Sequence, residues 1–175
     1  NPKARGVVLE SHGLFTWHDD AKTCYSLTLE IIQKAMDWFQ SKADSQHAFG
    51  GALHESLPPV ERRAVAAEIM PAIRGLICES QHMVGHFNDS PEVLEFVNAH
   101  QLQELAALGT SCPDHFLRTK IRPLVVDFNP DAQDVQAVIK RLPQEIDDYR
   151  NAYRAYYMRC HHANSPALRD PNPIV

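Results

Sequence analysis

Val135, Val138, Leu142, Ile146, Tyr149, Tyr153 and Tyr156 follow one another at steps of three and four. Only an α-helix gathers residues so spaced into one apolar stripe. The last third of the chain is therefore predicted to be a long amphipathic helix, with Pro143 starting a new turn or bending the rod. Such a stripe needs a second layer to lie against. Residues 122–128, RPLVVDF, read as the best strand of the second half, with Pro123 at an edge or at the first position because it donates no backbone hydrogen bond. Asn129-Pro130-Asp131 then turns the chain into the helix.

The first half repeats the alternation. Residues 7–10 and 14–17 read as two short strands with Gly13 at the break, and Asp19 or Asp20 as the N-cap of a helix over 21–42. Cys24, Leu27, Ile31, Ala35 and Trp38 form its apolar stripe. Residues 44–58 carry the composition of a long loop. A second helix is predicted from Pro59 to Leu76 or Cys78, kinked or broken near Met70 by Pro71. Residues 82–87, HMVGHF, suggest a strand, 92–98 fit either strand or helix, and 101–108 read as a helix stopped by Gly109. The Pro-rich tail is expected to be extended. Strands alternating with helices make the expected class α/β, a layered α/β/α arrangement with a long C-terminal helix.

Composition narrows the function. At 175 residues and 44% hydrophobic the chain suits one domain with an appended segment. A net charge of −5 without a basic patch argues against nucleic acid as a partner. No apolar stretch approaches the roughly 20 residues of a membrane span, and no apolar run follows NPKARG as in a signal peptide. The four cysteines form no CxxC pair, and Cys24 suits a reduced, buried thiol. A cytoplasmic protein is expected. With no initiating Met, a strand almost at once, and an end, DPNPIV, where another strand could begin, the chain is expected to be an internal fragment.

Among candidate chemical groups, His12 comes first. Beside Gly13, between two strands, its imidazole can reach out of a sheet end, and neutral imidazole is a common zinc ligand. A catalytic zinc needs about three protein ligands, and a lone His is more often a turn residue. His82 and His86 are four apart with Gly85 between them, and Cys160-His161-His162 suits the negative end of a helix dipole. The densest polar stretch is 110–120. Cys112 is a possible nucleophile there, and Asp114, His115, Arg118, Thr119 and Lys120 are possible ligand-binding groups; the last three are able to hold a phosphate or carboxylate. The competing reading is a turn in which Asp114 and Arg118 pair locally. No HEXXH, HxH or GxGxxG occurs.

VVLESHGLFTW, an acidic turn and AKTCYSLTLEIIQKA resemble the third-histidine segment of the class II aldolase/adducin family. PPVERRAVAAEIMPAIRGL, GHFNDSPEVLEFVN, LAALGTSCPDHFLRTKIRPLVVDF and SPALRDPNPIV are similar to one subgroup, the bifunctional rhamnulose-1-phosphate aldolase/alcohol dehydrogenases. In these a short-chain dehydrogenase follows the aldolase. The resemblance implies that His12 is the family's last zinc-binding histidine, the zinc polarising the ketose oxygen as a Lewis acid. The other two histidines and the acid/base carboxylate would lie upstream, and the NAD site downstream. This piece alone is then expected neither to hold zinc tightly nor to cleave a sugar phosphate. Where the family usually has Gly after the Trp, this chain has His18, so His18-Asp19 must make the turn.

The resemblance divides the chain into the end of an aldolase/adducin-like domain (1–43), a connecting aldolase-like module (44–164) and a linker toward a following domain (165–175). A homo-oligomer is expected. The rival reading is a non-catalytic, adducin-like assembly module with a large exposed apolar face; a weaker one uses Cys112 with His115 as a nucleophile pair.

Overall fold

The computed structural model describes residues 3–10, 12–43, 48–78, 82–110, 119–132 and 134–174. The chain divides into two compact units, Asn1–Ala48 with Thr110–Ile121 and Phe49–Gly109 with Arg122–Val175. Among the described residues there are one two-stranded sheet and five α-helices. None of these helices is long and apolar enough to cross a membrane.

In the first unit, β1 (Gly6–Leu9) pairs antiparallel with β2 (Gly13–Thr16), Gly6 opposite Thr16 and Leu9 opposite Gly13. Gly13 sits at φ +123°, where a side chain would be strained. Helix α1 (Ala21–Lys42) starts at Asp20, whose carboxylate accepts the Thr23 amide at 2.8 Å and the Thr23 hydroxyl at 2.6 Å. That hydroxyl, with the amide, holds the Asp20 carboxyl below its ordinary range. The expected stripe is half right. Leu27 is 3% exposed and Cys24 and Ile31 are half-buried, whereas Ala35 is exposed and Trp38 is 58% exposed. A four-residue strand reaches about 13 Å, while 22 residues of helix run about 33 Å. The hairpin therefore covers only the first turns of α1.

The second unit holds α2 (Pro59–Ile77), α3 (Pro91–Val97), α4 (Leu102–Leu108) and α5 (Val135–Cys160). Helix α2 continues through Pro71 without a break, and α5 through Pro143. In α2 the residues flanking Pro71 are held by packing. Ile69, Ala72, Ile73, Leu76 and Ile77 lie in one apolar cluster with Val138 and Leu142 of α5, Val126 and Phe128. Leu142 and Ile146 are fully buried, as the spacing predicts. Residues 92–98 resolve to helix because Ser90 caps α3 through the Val93 amide and Pro91 takes the first helical position.

Two expected strands are not formed. At 82–87 the backbone is paired by side chains instead: Cys78 Sγ accepts the Met83 amide and Arg74 Nε donates to the Met83 carbonyl. Val84 is 94% exposed, so no core face rewards an extended ladder. Over 122–128 the backbone likewise bonds outside any ladder. Tyr149 donates to the Arg122 carbonyl, Arg141 to that of Asp127, and the Leu124 amide to Ile174. Leu124, Val125, Val126 and Phe128 are all half-buried, so the segment packs without the alternating burial of a strand.

Buried Arg150 ties this unit together. Its Nη2 donates to the Leu76 carbonyl at 2.7 Å, Nε to Asn172 Oδ1 at 2.8 Å and Nη1 to Asp147 at 2.9 Å. One guanidinium thus joins α5, the end of α2 and the C-terminal segment. At the other end of α2, Arg62 meets Asp89 at 3.0 Å and the Leu57 carbonyl at 2.6 Å.

Candidate functional site

His12 lies in the turn between β1 and β2, where its amide donates to the Leu9 carbonyl at 3.1 Å. Its Nδ1 stands 3.1 Å from the Glu10 carbonyl oxygen. A carbonyl only accepts, so this bond puts the ring proton on Nδ1 and leaves the Nε2 lone pair for another partner. The ring is exposed at the sheet end. A backbone carbonyl fixing the tautomer in this way is the usual support of a metal-binding histidine.

Among the described residues no group of three or more His, Cys, Asp and Glu side chains is placed to hold a metal ion. His12 fits zinc as one ligand of a larger set, since about three protein ligands make an open zinc site.

His18 makes its turn without a left-handed backbone; among the described non-glycine residues only Phe49 has a positive φ. The His18 Nδ1 accepts the Asp20 amide at 3.0 Å, a side-chain contact that leads into the N-cap.

In the 110–120 stretch, Cys112, Asp114, His115 and Arg118 lie outside the described residues. Thr119 donates its hydroxyl to the Lys120 carbonyl at 3.2 Å, and Lys120 is half-buried. His82 and His86 are both exposed on an irregular segment. His161 caps α5 with its ring 5.3 Å from that of Tyr157, in keeping with a structural helix end. Cys24 and Cys78 are half-buried free thiols and Cys160 is an exposed one.

One feature of the second unit carries no motif. Arg122, Glu145 and Tyr149 border an open cleft of about 320 Å³. Glu145 and Tyr149 are four apart on α5, but nothing in that spacing foretells that Arg122 joins them.

Residues 64–175 match the family described as Aldolase class II, second domain. The chain belongs to this family. An uncharacterized oxidoreductase, YuxG of Bacillus subtilis (strain 168), is 38% identical over 159 residues, which are 91% of this chain and 23% of that relative. This class II aldolase chain thus spans less than a quarter of the relative's length. No solved structure matches it. The aldolase second-domain match contains α5, Arg150 and the cleft, while His12 and its hairpin precede it.

Proposed function

We propose that this chain is part of a bifunctional enzyme in which a zinc-dependent class II aldolase, cleaving a ketose 1-phosphate of the rhamnulose type, is fused to an NAD-dependent short-chain alcohol dehydrogenase. The observation that carries this reading is the pair of similarities. A class II aldolase second domain occupies residues 64–175, and the longer relative bears an oxidoreductase name. In this reading 1–43 end the aldolase/adducin-like domain, 44–164 connect, and 165–175 lead onward. The layered α/β/α arrangement, a homo-oligomeric assembly and a cytoplasmic location belong to the same proposal.

His12 supplies one zinc ligand through Nε2, while the Glu10 carbonyl orients the ring. A zinc held there would supply Lewis-acid polarisation of a ketose oxygen. Within this chain the contribution of the site is orientation. The Gly13 turn carries the imidazole, and the β1–β2 pairing holds the turn.

His12→Ala in the full-length protein, assayed by aldehyde release from rhamnulose 1-phosphate and by bound zinc, is expected to lose both. Retained activity with bound zinc would overturn the reading. The chain by itself is expected to show no tight stoichiometric zinc binding in calorimetry.

A second reading, an adducin-like assembly module, is favoured by one observation. Tyr25, Leu29, Ile32, Met36 and Phe39, one face of α1 at steps of four and three, are all exposed. It expects the His12→Ala protein to keep its partner and the wild type to bind no zinc.

A further inference from the structure

We infer that two copies of this chain pair antiparallel through the exposed face of α1. The inference gives the homo-oligomer of the preceding reading its surface and rests on that part of the reading alone; the zinc chemistry does not enter it.

Tyr25, Leu29, Ile32, Met36 and Phe39 follow one another at steps of four, three, four and three. That is the alternation of a coiled-coil seam, which gathers its side chains on one narrow strip of a helix. The hairpin packs on the Leu27 side of α1, and the strip runs along the opposite side, exposed at all five positions. These side chains leave roughly 500 Å² open, at the upper end of what the surface of a monomer carries as one apolar patch. Two such strips laid face to face bury about 1,000 Å², the least that a specific interface needs.

Charge chooses the occupant and its direction. The positions flanking the strip are Ser26, Thr28, Gln33, Ala35 and Gln40, and none carries a charge. An identical strip can therefore approach without like-charge repulsion, whereas a charged partner would find no complement. Glu30 and Lys34 pair with each other at 2.7 Å on the far side of the helix. Charges stand only at the two ends, Lys22 before the strip and Lys42 after it. Parallel pairing would set Lys22 against Lys22 and Lys42 against Lys42. Antiparallel pairing with Leu29 opposite Ile32 sets Tyr25 opposite Met36 and Lys22 opposite Phe39 of the second copy, an ammonium on an aromatic ring. The same register brings Lys42 to the end where Asp19 and Asp20 of the second copy precede its first turn. Each contact is repeated by the two-fold relation, so this face closes a pair rather than opening a filament.

Sedimentation equilibrium on the 175-residue chain at about 100 μM, a concentration suited to an interface of this size, is expected to show a dimer. Ile32→Glu, at an exposed position, is expected to leave only monomer with the circular dichroism unchanged. Direction is read by cross-linking. Tyr25 and Met36 lie about 16 Å apart within one helix, too far for an internal disulfide. The double variant Tyr25→Cys with Met36→Cys, oxidised with copper phenanthroline, is expected to give a covalent dimer in which mass spectrometry finds position 25 joined to position 36. Neither single variant is expected to give a 25–25 or 36–36 bond. In the full-length protein the 25–36 bond is expected to form with or without His12→Ala, so failure of the zinc reading leaves it untouched. The inference is overturned by a monomeric wild-type chain, by a dimer that survives Ile32→Glu, or by a 25–25 or 36–36 bond. Absence of the 25–36 bond in the full-length protein also overturns it, since another part of the polypeptide would then occupy the strip.

Discussion

The two units treat their apolar residues in opposite ways. In the first, Leu27 is the only buried hydrophobic residue among those described, and Val8, Tyr25, Trp38 and Phe39 are each more than half exposed. In the second, Ile73, Val138, Leu142 and Ile146 are buried with further apolar neighbours packed on them, and Arg150 closes the polar side. Apolar spacing alone does not decide burial. A stripe is buried as far as a second element runs beside it. Helix α5 has α2 and the 122–128 segment alongside, whereas among the described residues α1 has a four-residue strand.

Five substitutions probe this contrast, from the largest effect to the smallest. Leu142→Ala, at the centre of the second unit's core, is expected to cost about 3–4 kcal/mol in urea unfolding. A loss under 1 kcal/mol would erase the contrast. Arg150→Met removes the hydrogen bonds to Leu76, Asn172 and Asp147 and leaves the Leu76 carbonyl and Asn172 short of a donor. About 2–3 kcal/mol is expected, with faster amide exchange at the end of α2. Leu27→Ala should cost about 2 kcal/mol, the low end for a core truncation because little surrounds it. Amide exchange should quicken in α1 and stay unchanged in α5; equal effects on both would contradict a separation into units.

Tyr149→Phe should cost about 1 kcal/mol through the lost bond to Arg122, and it has a pH signature. Burial, with Tyr153 nearby and Arg122 opposing, pushes the Tyr149 pKa up to about 12. The unfolded chain ionises this phenol near 10. Its contribution is therefore complete below about pH 10 and is lost as pH rises from about 10 to about 12. Roughly 1–2 kcal/mol is expected to disappear over that window, allowing for the open cleft beside the hydroxyl. Urea midpoints at pH 8 and 11.5 should differ less in Tyr149→Phe than in the wild type. At the bottom of the series, His12→Ala on the exposed turn should move stability by no more than about 0.5 kcal/mol. A larger loss would make His12 a structural residue.

What was legible from residues alone is what local physics controls. Helix α1 starts and stops where its cap and periodicity put it, because the Asp20 carboxylate meets the free amides of the first turn whatever lies elsewhere; the periodicity of α5 was equally legible, but its cap, Asp134, was not singled out. The Gly13 turn and the pairing of its flanking strands are local for the same reason. The His12 tautomer rests on a carbonyl two residues away.

Tertiary structure decided the rest. Whether RPLVVDF becomes a strand depends on a partner edge, and here side chains of α5 and the tail take up its backbone groups first. That Arg150 is a buried clamp depends on residues 74 positions before it and 22 after it meeting at one guanidinium. The cleft, too, joins α4 to α5 across more than thirty residues of chain. Short-range hydrogen bonds and periodicity are written in neighbouring residues, but which distant groups satisfy a buried donor or acceptor is settled only when the chain packs.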